Sequence, residues 1–221
     1  MVLLNYIVYH ALYILLPTLM KVKSQTTTSR EGHTATFINN KLYILGGANI
    51  PLHYTNNSNN SNIPKETFFY IDFSASFDTS ELKWIDLTNV NNIIPSHELA
   101  AAIKGGANKT TLFLYDGISL NSNQTKDLVY IFDVQNNTWS IPTITGMPPS
   151  GISGIAPIVD YDGLMYLYGG IGSDGSCTND MFILDTVNLN WKKANSTNAP
   201  SPRTEYSAVL LPNQNIMYMG M

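Results

Sequence analysis

One short phrase of the sequence returns at a regular spacing. KLYILGG at 41–47 comes back as LMYLYGG at 164–170, and TLFLYDG at 111–117 is an intermediate copy that ends in Asp-Gly. Each phrase is followed by a second apolar stretch that closes on an aspartate, and then by a tryptophan. Trp139 and Trp191, which end copies two and three, are 52 residues apart (191 − 139). A fixed period near 50 residues predicts an array of small supersecondary units.

The repeat positions form one set along the chain. A fourth copy begins on the same period with NIMYMG, where Tyr218 follows Tyr166 by 52 residues (218 − 166). The predicted units are approximately 28–90, 97–145, 150–197 and a truncated 202–221. The structural repeat residues are Gly46, Gly47, Asp116, Gly117, Gly169, Gly170, Asp72, Asp133, Asp185, Trp84, Trp139 and Trp191.

Each unit is predicted to be a small β-sheet. The stretches on either side of Asn39-Asn40 are rich in β-branched and aromatic residues, and the two asparagines tolerate the positive φ of a two-residue hairpin. Asp162-Gly163 is predicted to repeat this turn in copy three. The glycine pair ends the second strand where backbone passes backbone closely. Four strands without helical periodicity cannot cover their own faces, so the sheets must stack, and radial stacking gives a β-propeller.

This order of features resembles the kelch repeat. REGHTA at 30–35 and RTEYSA at 203–208 are similar to the strand that opens such a repeat. The resemblance covers roughly residues 28–221, although copy two lacks the first glycine and copies two and three lack the opening arginine. It implies an all-β, kelch-type propeller of about three and a fraction four-stranded antiparallel blades in an incomplete ring. It also implies a non-enzymatic protein-interaction module that binds a protein partner through its blade loops and needs no cofactor.

An incomplete ring leaves two apolar blade faces exposed. Kelch propellers usually have about six or seven blades, so this sequence indicates a fragment or a half-ring. A half-ring could close by pairing with another chain or by self-association. The sequence ends inside a predicted strand, which favours a fragment.

Charge and composition limit the classes of partner that the chain can bind. Charged residues are 13% of the chain and the net charge is −4, so there is no basic surface for nucleic acid. Polar character comes from Asn, Ser and Thr, as in the Asn-rich insert at 51–64. This insert is either a recognition loop on one rim or a low-complexity excursion, and the second interpretation is favoured.

The N-terminus predicts entry into the secretory pathway. Residues 2–20 are almost uninterrupted apolar sequence, and polar sequence follows, so residues 1–24 are predicted to be a signal peptide. No basic residue precedes the apolar run, and its length also suits an uncleaved membrane anchor at 2–20. The predicted location is therefore secreted or cell-surface, with membrane anchoring as the alternative.

Six sequons agree with a secreted glycoprotein. The candidate N-glycosylation sites, all in sequence that predicts loops or turns, are Asn56, Asn59, Asn108, Asn123, Asn136 and Asn195. Cys177 is the only cysteine, so no intrachain disulfide can form. An intracellular scaffold with an accidental apolar leader remains a third interpretation, and unoccupied sequons would support it.

The resemblance also brings an enzyme alternative. Kelch-type propellers are similar to the catalytic domain of galactose oxidase, whose copper chemistry needs two Tyr and two His, one Tyr being cross-linked to a Cys. Only His53 and His97 could serve here, and their spacing does not predict that they meet. The recurring aspartates are more simply interpreted as strand-end residues that accept backbone hydrogen bonds. We therefore predict no catalytic residue, no metal and no cofactor, and keep a galactose oxidase-like or carbohydrate-binding propeller as the alternative.

Overall fold

The computed structural model describes residues 29–49, 63–79, 82–90, 93–121, 127–195 and 197–220. The predicted leader, most of the Asn-rich insert, His53 and the sequons at Asn56, Asn59 and Asn123 lie outside these ranges. The predicted all-β architecture is confirmed, because every element of the described chain is a strand. The strands are β1 (Glu31–Ile38), β2 (Lys41–Ala48), β3 (Phe68–Asp72), β4 (Trp84–Asp86), β5 (His97–Glu98), β6 (Ala101–Gly105), β7 (Thr111–Tyr115), β8 (Ile118–Ser119), β9 (Val129–Asp133), β10 (Thr138–Ser140), β11 (Thr145–Gly146), β12 (Ile152–Ser153), β13 (Ile158–Val159), β14 (Leu164–Tyr168), β15 (Ile171–Gly172), β16 (Met181–Asp185), β17 (Asn190–Lys193), β18 (Ser207–Leu210) and β19 (Ile216–Met219).

The strands form a partial kelch-type propeller. Blade 1 has the order β1-β2-β3-β4, blade 2 has β6-β7-β9-β10, and blade 3 has β13-β14-β16-β17, with antiparallel neighbours throughout. Blade 4 contributes the pair β18-β19. The first strands of successive blades lie against one another, so they are the inner strands of the array. Two short hairpins, β5-β8 and β12-β15, extend the inner strands of blades 2 and 3 beyond a bend.

Blade 3 has an additional edge strand that the sequence did not predict. β11 belongs to the connection from blade 2, and it pairs in parallel with the outer strand β17, with Thr145 opposite Asn190 and Gly146 opposite Trp191. Gly146 allows this close approach, because a Cβ there would collide with the Trp191 carbonyl oxygen. The sheet of blade 3 therefore has five strands.

The two predicted hairpin turns have different outcomes. Asn39 and Asn40 have φ values of 50° and 61°, which confirms the two-residue turn in blade 1. The prediction for Asp162-Gly163 is wrong, since only Gly163 has a positive φ, at 86°. Asp160 accepts hydrogen bonds through its Oδ1 from the amides of Asp162 and Leu164, so a longer turn with a glycine bulge forms instead.

Aromatic side chains fill the space between successive blades. Trp139 of blade 2 packs against Phe68 of blade 1, with ring centroids 5.3 Å apart. Trp191 of blade 3 packs in the same way against Tyr115 of blade 2, at 5.9 Å. Both of these tryptophans thus face the preceding blade. Trp84 has no preceding blade in the described chain, and it packs edge-on against Phe69 of its own sheet, at 5.0 Å.

Blade 4 has one packed face and one open face. Tyr218 packs against Tyr168 of blade 3, with centroids 5.0 Å apart. On the opposite face Val209, Met217 and Met219 are 40%, 44% and 49% exposed. The strand register also corrects the predicted equivalence of Tyr218 with Tyr166. Val209 pairs with Met217 as Ile158 pairs with Tyr166, so Met217 occupies the repeat position of Tyr166 and Tyr218 points to the other face.

None of the described elements is a helix of the length and apolar character needed to span a bilayer.

Candidate interaction rim

The motif pairs lie together at one end of the stacked blades. We call this end the Gly rim and define it by Gly46-Gly47, Asp116-Gly117, Gly169-Gly170 and the segments that follow them. The first residue of each pair has a positive φ, at 65°, 47° and 70°. A Cβ at Gly46 would lie 2.6 Å from the His97 ring, and one at Gly169 would lie 2.5 Å from the Arg203 carbonyl oxygen. Both glycines are therefore required by contact with the next copy.

The same backbone hydrogen bond closes each motif pair. The amides of Gly46, Asp116 and Gly169 donate to the carbonyl oxygens of Thr67, Leu128 and Asp180, at 2.8, 2.9 and 3.0 Å. Each of these acceptor residues immediately precedes the third strand of its blade. The long connection between the second and third strands is consequently closed at its base, and only its outer part is left to vary.

A second series of hydrogen bonds connects the blades near the inner strands. The Leu99 amide donates to the Gly32 carbonyl at 2.7 Å, the Gly154 amide to the Leu99 carbonyl at 2.9 Å, and the Glu205 amide to the Gly154 carbonyl at 2.7 Å. We call these four residues the axial chain. All four have positive φ, between 52° and 68°. This series was not predictable from the sequence, because Leu99 and Glu205 are residues that seldom adopt such a conformation.

The arginine that opens the repeat stabilises the Gly rim by hydrogen bonds to its backbone. In blade 1 the Arg30 guanidinium donates through Nη1 to the carbonyl oxygens of Gly46 and Glu66, at 3.2 and 2.6 Å, and lies 4.7 Å from the Phe69 ring centroid. Burial lowers the pKa of Arg30 from its usual value. His97 takes this position in blade 2, where its Nδ1 lies 2.9 Å from the Pro95 carbonyl oxygen. Sequence departures in the opening strand are thus filled by other buried side chains.

Asp116 is the main irregularity of the rim. It is 7% exposed and has a φ of 47° where the equivalent residues of blades 1 and 3 are glycines. A left-handed conformation costs a residue with a Cβ about 1 to 2 kcal/mol. The neighbouring segment accommodates the side chain, since a Cβ on Gly151 would lie 2.8 Å from the Asp116 Oδ2. Burial, followed by the Asp116 charge, raises the pKa of the adjacent Tyr115 far above its usual range.

A cleft opens beside Asp116, between blades 2 and 3. Its volume is about 410 Å³, and it separates the two short hairpins β5-β8 and β12-β15. Ile118, which is 36% exposed, and Ile171 provide apolar walls. Most of the remaining lining is glycine or serine. The lining residues are Asp116, Gly117, Ile118, Gly151, Ser153, Ile171, Gly172, Ser173 and Gly175.

The repeat aspartates lie at the opposite end, which we call the turn rim and define by the hairpin turns at 39–40, 106–110, 134–137, 160–163 and 186–189. The Asp185 Oδ1 accepts hydrogen bonds from the amides of Val187 and Asn188, and its Oδ2 accepts one from the Asn188 side chain at 2.9 Å. Asp133 makes the same contacts in its own turn. Hydrogen bonds from the turn lower the pKa of Asp133, Asp185 and Asp72. These carboxylates hold turns closed and do not face the cleft.

Three sequons are in the described chain, and all three asparagines are exposed. Asn108 lies in the β6-β7 turn. Asn195 accepts hydrogen bonds through its Oδ1 from the Thr197 amide and hydroxyl, at 2.9 and 2.7 Å. Asn136 differs, because its Nδ2 donates to the Asp133 Oδ2 at 2.6 Å and so helps to close the β9-β10 turn.

Residues suited to catalysis do not assemble into a metal site in the part of the chain that is described. No three of its His, Cys, Asp or Glu side chains are placed so that they could hold one ion. Cys177 is exposed, and its backbone forms a bridge with Ile171 at the edge of the cleft. His33 is exposed and His97 is buried.

Comparison with known proteins decides the family. The KLHDC2/KLHL20/DRC7 Kelch-repeats domain matches residues 32–221. The chain belongs to the kelch-repeat family. It is 25% identical to Kelch domain-containing protein 3 of Rattus norvegicus over 198 residues, which is 86% of this chain and 48% of the relative.

Two further relatives are similar to most of the chain. The chain is 24% identical to Acyl-CoA-binding domain-containing protein 6 of Oryza sativa subsp. japonica over 210 residues, which is 92% of this chain and 29% of the relative. It is 20% identical to the Rab9 effector protein with kelch motifs of Mus musculus over 202 residues, or 87% of this chain and 48% of the relative. The chain spans about half the length, or less, of these curated relatives.

Proposed function

We propose that this kelch chain is a protein-interaction module whose Gly rim receives a partner protein. The cleft of about 410 Å³ between blades 2 and 3 is the observation that carries the proposal. It combines apolar walls with open backbone, which suits a protruding segment of another protein. The hydrogen bonds of the axial chain and of the motif pairs fix the base of the rim, so little order has to be gained when a partner binds.

Kelch domains generally mediate protein interactions, and this supports the class of function. One relative is named as an effector of Rab9. That partner belongs to the relative and is not transferred to this chain. The polar loops of the present rim make a partner with its own polar surface the better fit.

We place this activity on the secretory pathway, either outside the cell or at its surface. The apolar leader and the sequons support this location, and the exposure of Asn108, Asn136 and Asn195 leaves room for glycans. Self-association is also part of the proposal, because the open face of blade 4 presents Val209, Met217 and Met219 to solvent.

The test of the rim compares two matched substitutions. Ile118→Asp places a charge on the cleft wall, and Tyr161→Asp places one on the turn rim, where Tyr161 is 65% exposed. Partners captured with the wild-type chain are purified, and their affinities for the three proteins are measured by calorimetry. We expect Ile118→Asp to weaken binding at least tenfold and Tyr161→Asp to leave it unchanged. Equal affinities for all three proteins, or loss only with Tyr161→Asp, would contradict the proposal.

Location is tested by expression in a secreting eukaryotic host. We expect a soluble product in the medium that begins near Gln25 and loses mass on glycosidase treatment. Retention of an unglycosylated chain inside the cell would contradict the secretory part of the proposal. That outcome would leave the rim experiment unaffected.

A further inference from the structure

We propose that Asn195 is a glycan acceptor and that Asn136 is not, although both are exposed asparagines in sequons. This assignment rests on the secretory location in the proposed function and adds which of these sites is modified. Exposure leaves room for a sugar at both positions and therefore does not separate them. The hydrogen bonds of the two side-chain amides do separate them, because a glycan is attached through Nδ2.

Glycan transfer uses the nitrogen of the asparagine side chain. A bond forms between Nδ2 and the anomeric carbon of a lipid-linked oligosaccharide, and the bond from that carbon to the lipid pyrophosphate breaks. The pyrophosphate leaves with the bonding electron pair, and Nδ2 loses one of its two protons. A sugar is therefore compatible with the folded chain only where the fold does not hold Nδ2 against another group.

The Asn136 side chain is held by the fold. Its Nδ2 donates to the Asp133 Oδ2 at 2.6 Å, and its backbone amide donates to the Asp133 Oδ1 at 3.3 Å. The acceptor is a carboxylate, and hydrogen bonds to an ionised acceptor are stronger than those between neutral groups. A sugar on Nδ2 would lie against this carboxylate and would keep the β9-β10 turn from closing.

Blade 3 has the same asparagine without a sequon. Asn188 donates from Nδ2 to the Asp185 Oδ2 at 2.9 Å, and the residue that follows the asparagine has a φ of 52° in both turns. The residue two positions after Asn188 is Asn190, so this copy cannot accept a glycan. The turn itself therefore uses an asparagine at this position, and that use accounts for Asn136 without a glycan.

The Asn195 side chain has the opposite arrangement. Its Oδ1 accepts hydrogen bonds from the Thr197 amide at 2.9 Å and from the Thr197 hydroxyl at 2.7 Å. These bonds hold the carbonyl end of the side chain, whereas its Nδ2 makes no hydrogen bond within the residues that the structure describes. Asn195 lies in the connection between β17 and β18, so a sugar there does not interrupt a strand or a hairpin turn.

The first experiment measures the occupancy of each site in the full chain secreted from a eukaryotic host. Peptide N-glycosidase in water enriched in heavy oxygen converts an occupied asparagine to labelled aspartate, and mass spectrometry of the peptides counts it. We expect occupancy at Asn195 to exceed occupancy at Asn136 at least tenfold. Equal occupancy, or higher occupancy at Asn136, would overturn the assignment.

Two matched threonine substitutions check the same assignment in the intact mass. Thr197→Val and Thr138→Val each remove one sequon and keep a β-branched side chain, and both threonines are exposed. We expect Thr197→Val to lose the mass of one glycan and Thr138→Val to lose none. Loss of a glycan from Thr138→Val, or an unchanged glycan mass for Thr197→Val, would contradict the proposal.

Three alanine substitutions test the turn in the absence of glycans. The full chain is produced with an inhibitor of lipid-linked oligosaccharide synthesis, so that no site is modified. Asn136→Ala and Asn188→Ala remove the same hydrogen bond and should each lower the Tm by about 2 to 4 °C. Asn195→Ala should lower it by less. An unchanged Tm for Asn136→Ala would mean that the turn does not depend on this amide.

The assignment and the secretory location fail in different ways. A chain in the medium that carries glycans at both sites, or at Asn136 alone, keeps the location and overturns the assignment. A chain that is retained in the cell without glycans overturns the location and, with it, Asn195 as an acceptor.

Discussion

The packed interfaces between blades, which we call joints, differ from the open blade faces in how the tryptophan of the repeat is covered. Trp139 lies between blades 1 and 2 and is 6% exposed, and Trp191 lies between blades 2 and 3 and is 4% exposed. Trp84 stands at the same repeat position, but its ring contact among the described residues is with Phe69 of its own sheet. One repeat therefore contributes different stability according to whether a neighbour is present, as expected for an array with nearest-neighbour coupling.

The largest effect is expected from removing a joint tryptophan. Trp139→Ala leaves a cavity against Phe68 and Phe132 and should lower the free energy of unfolding by about 3 to 5 kcal/mol. Trp84→Ala, the matched substitution on the open side, should cost less than half as much. Urea unfolding followed by circular dichroism measures both. Equal losses would mean that the blades do not depend on their neighbours.

Two glycines, one at a joint and one in open space, allow the same comparison with a smaller substitution. Gly169→Ala places a Cβ 2.5 Å from the Arg203 carbonyl oxygen, at a joint, and should cost about 2 to 4 kcal/mol from strain and overpacking together. Gly175→Ala has a similar φ, at 79°, but open space around it, so it should cost about 1 to 2 kcal/mol from the backbone alone. Thermal unfolding of the two variants measures the difference. A larger cost for Gly175→Ala would be incompatible with the close contact at Gly169.

The joint between blades 3 and 4 should be sensitive to alkaline pH. Burial raises the pKa of Tyr218 and Tyr166 to about 12, whereas the pKa is about 10 in an unfolded chain. The unfolded state loses these protons first, so stability is complete below pH 10 and falls as the pH rises toward 12. Tyr218→Phe should make this decline shallower. At neutral pH it should be neutral or stabilising, because the buried Tyr218 hydroxyl has no hydrogen-bond partner in the described part of the chain.

Unfolding curves at a series of pH values between 8 and 12 test this prediction. Tyr166→Phe is a less clean comparison, because the Tyr166 hydroxyl donates to the Asp160 Oδ2 at 2.9 Å. Its loss should lower stability at neutral pH as well. An alkaline profile of Tyr218→Phe with the slope of the wild type would show that this phenol is not buried at a joint.

The smallest effect is expected on the open face of blade 4. Met217→Ser replaces a side chain that is 44% exposed, so the free energy of unfolding should change by less than about 0.5 kcal/mol. The same substitution should weaken self-association in sedimentation velocity experiments, because it reduces the exposed apolar surface. A loss of more than about 2 kcal/mol would mean that this face is covered.

The sequence predicted those features that recur with the same residue types. The motif pairs, the strand-end aspartates and the tryptophans recur in the same order in copies one to three, and from copy two to copy three they also keep their spacing, so the repeat and its four-stranded sheets followed from pattern alone. Asn39-Asn40 also predicted its turn, since few residue pairs suit two positive φ values in succession. Local chemistry was sufficient in these cases.

Features that depend on side-chain contacts, on strand register or on contacts between copies were not predictable from the repeat pattern. The axial chain needs four left-handed residues, and only two of them are glycines. The turn at Asp162-Gly163 was mispredicted because the Asp160 side chain accepts two amides and stabilises a longer turn. Tyr218 was matched with Tyr166 because the two tyrosines are 52 residues apart, whereas the strands of blade 4 are offset from those of blade 3 by 51 residues, which puts Tyr218 on the opposite face. The cleft depends on the distance between two hairpins, which no local pattern encodes.

The hydrogen bonds of the axial chain all point in the same direction around the array. In all three of its hydrogen bonds the later blade is the donor and the earlier blade is the acceptor. A further blade that continued the series would have to donate to the Glu205 carbonyl, whereas a preceding one would have to accept from the Gly32 amide. Joining two like ends would oppose donor to donor or acceptor to acceptor. Further blades can therefore be added only head to tail. Two arrays could complete one ring only if they are related by a twofold axis parallel to the axis of the propeller, because a perpendicular twofold axis would join like ends.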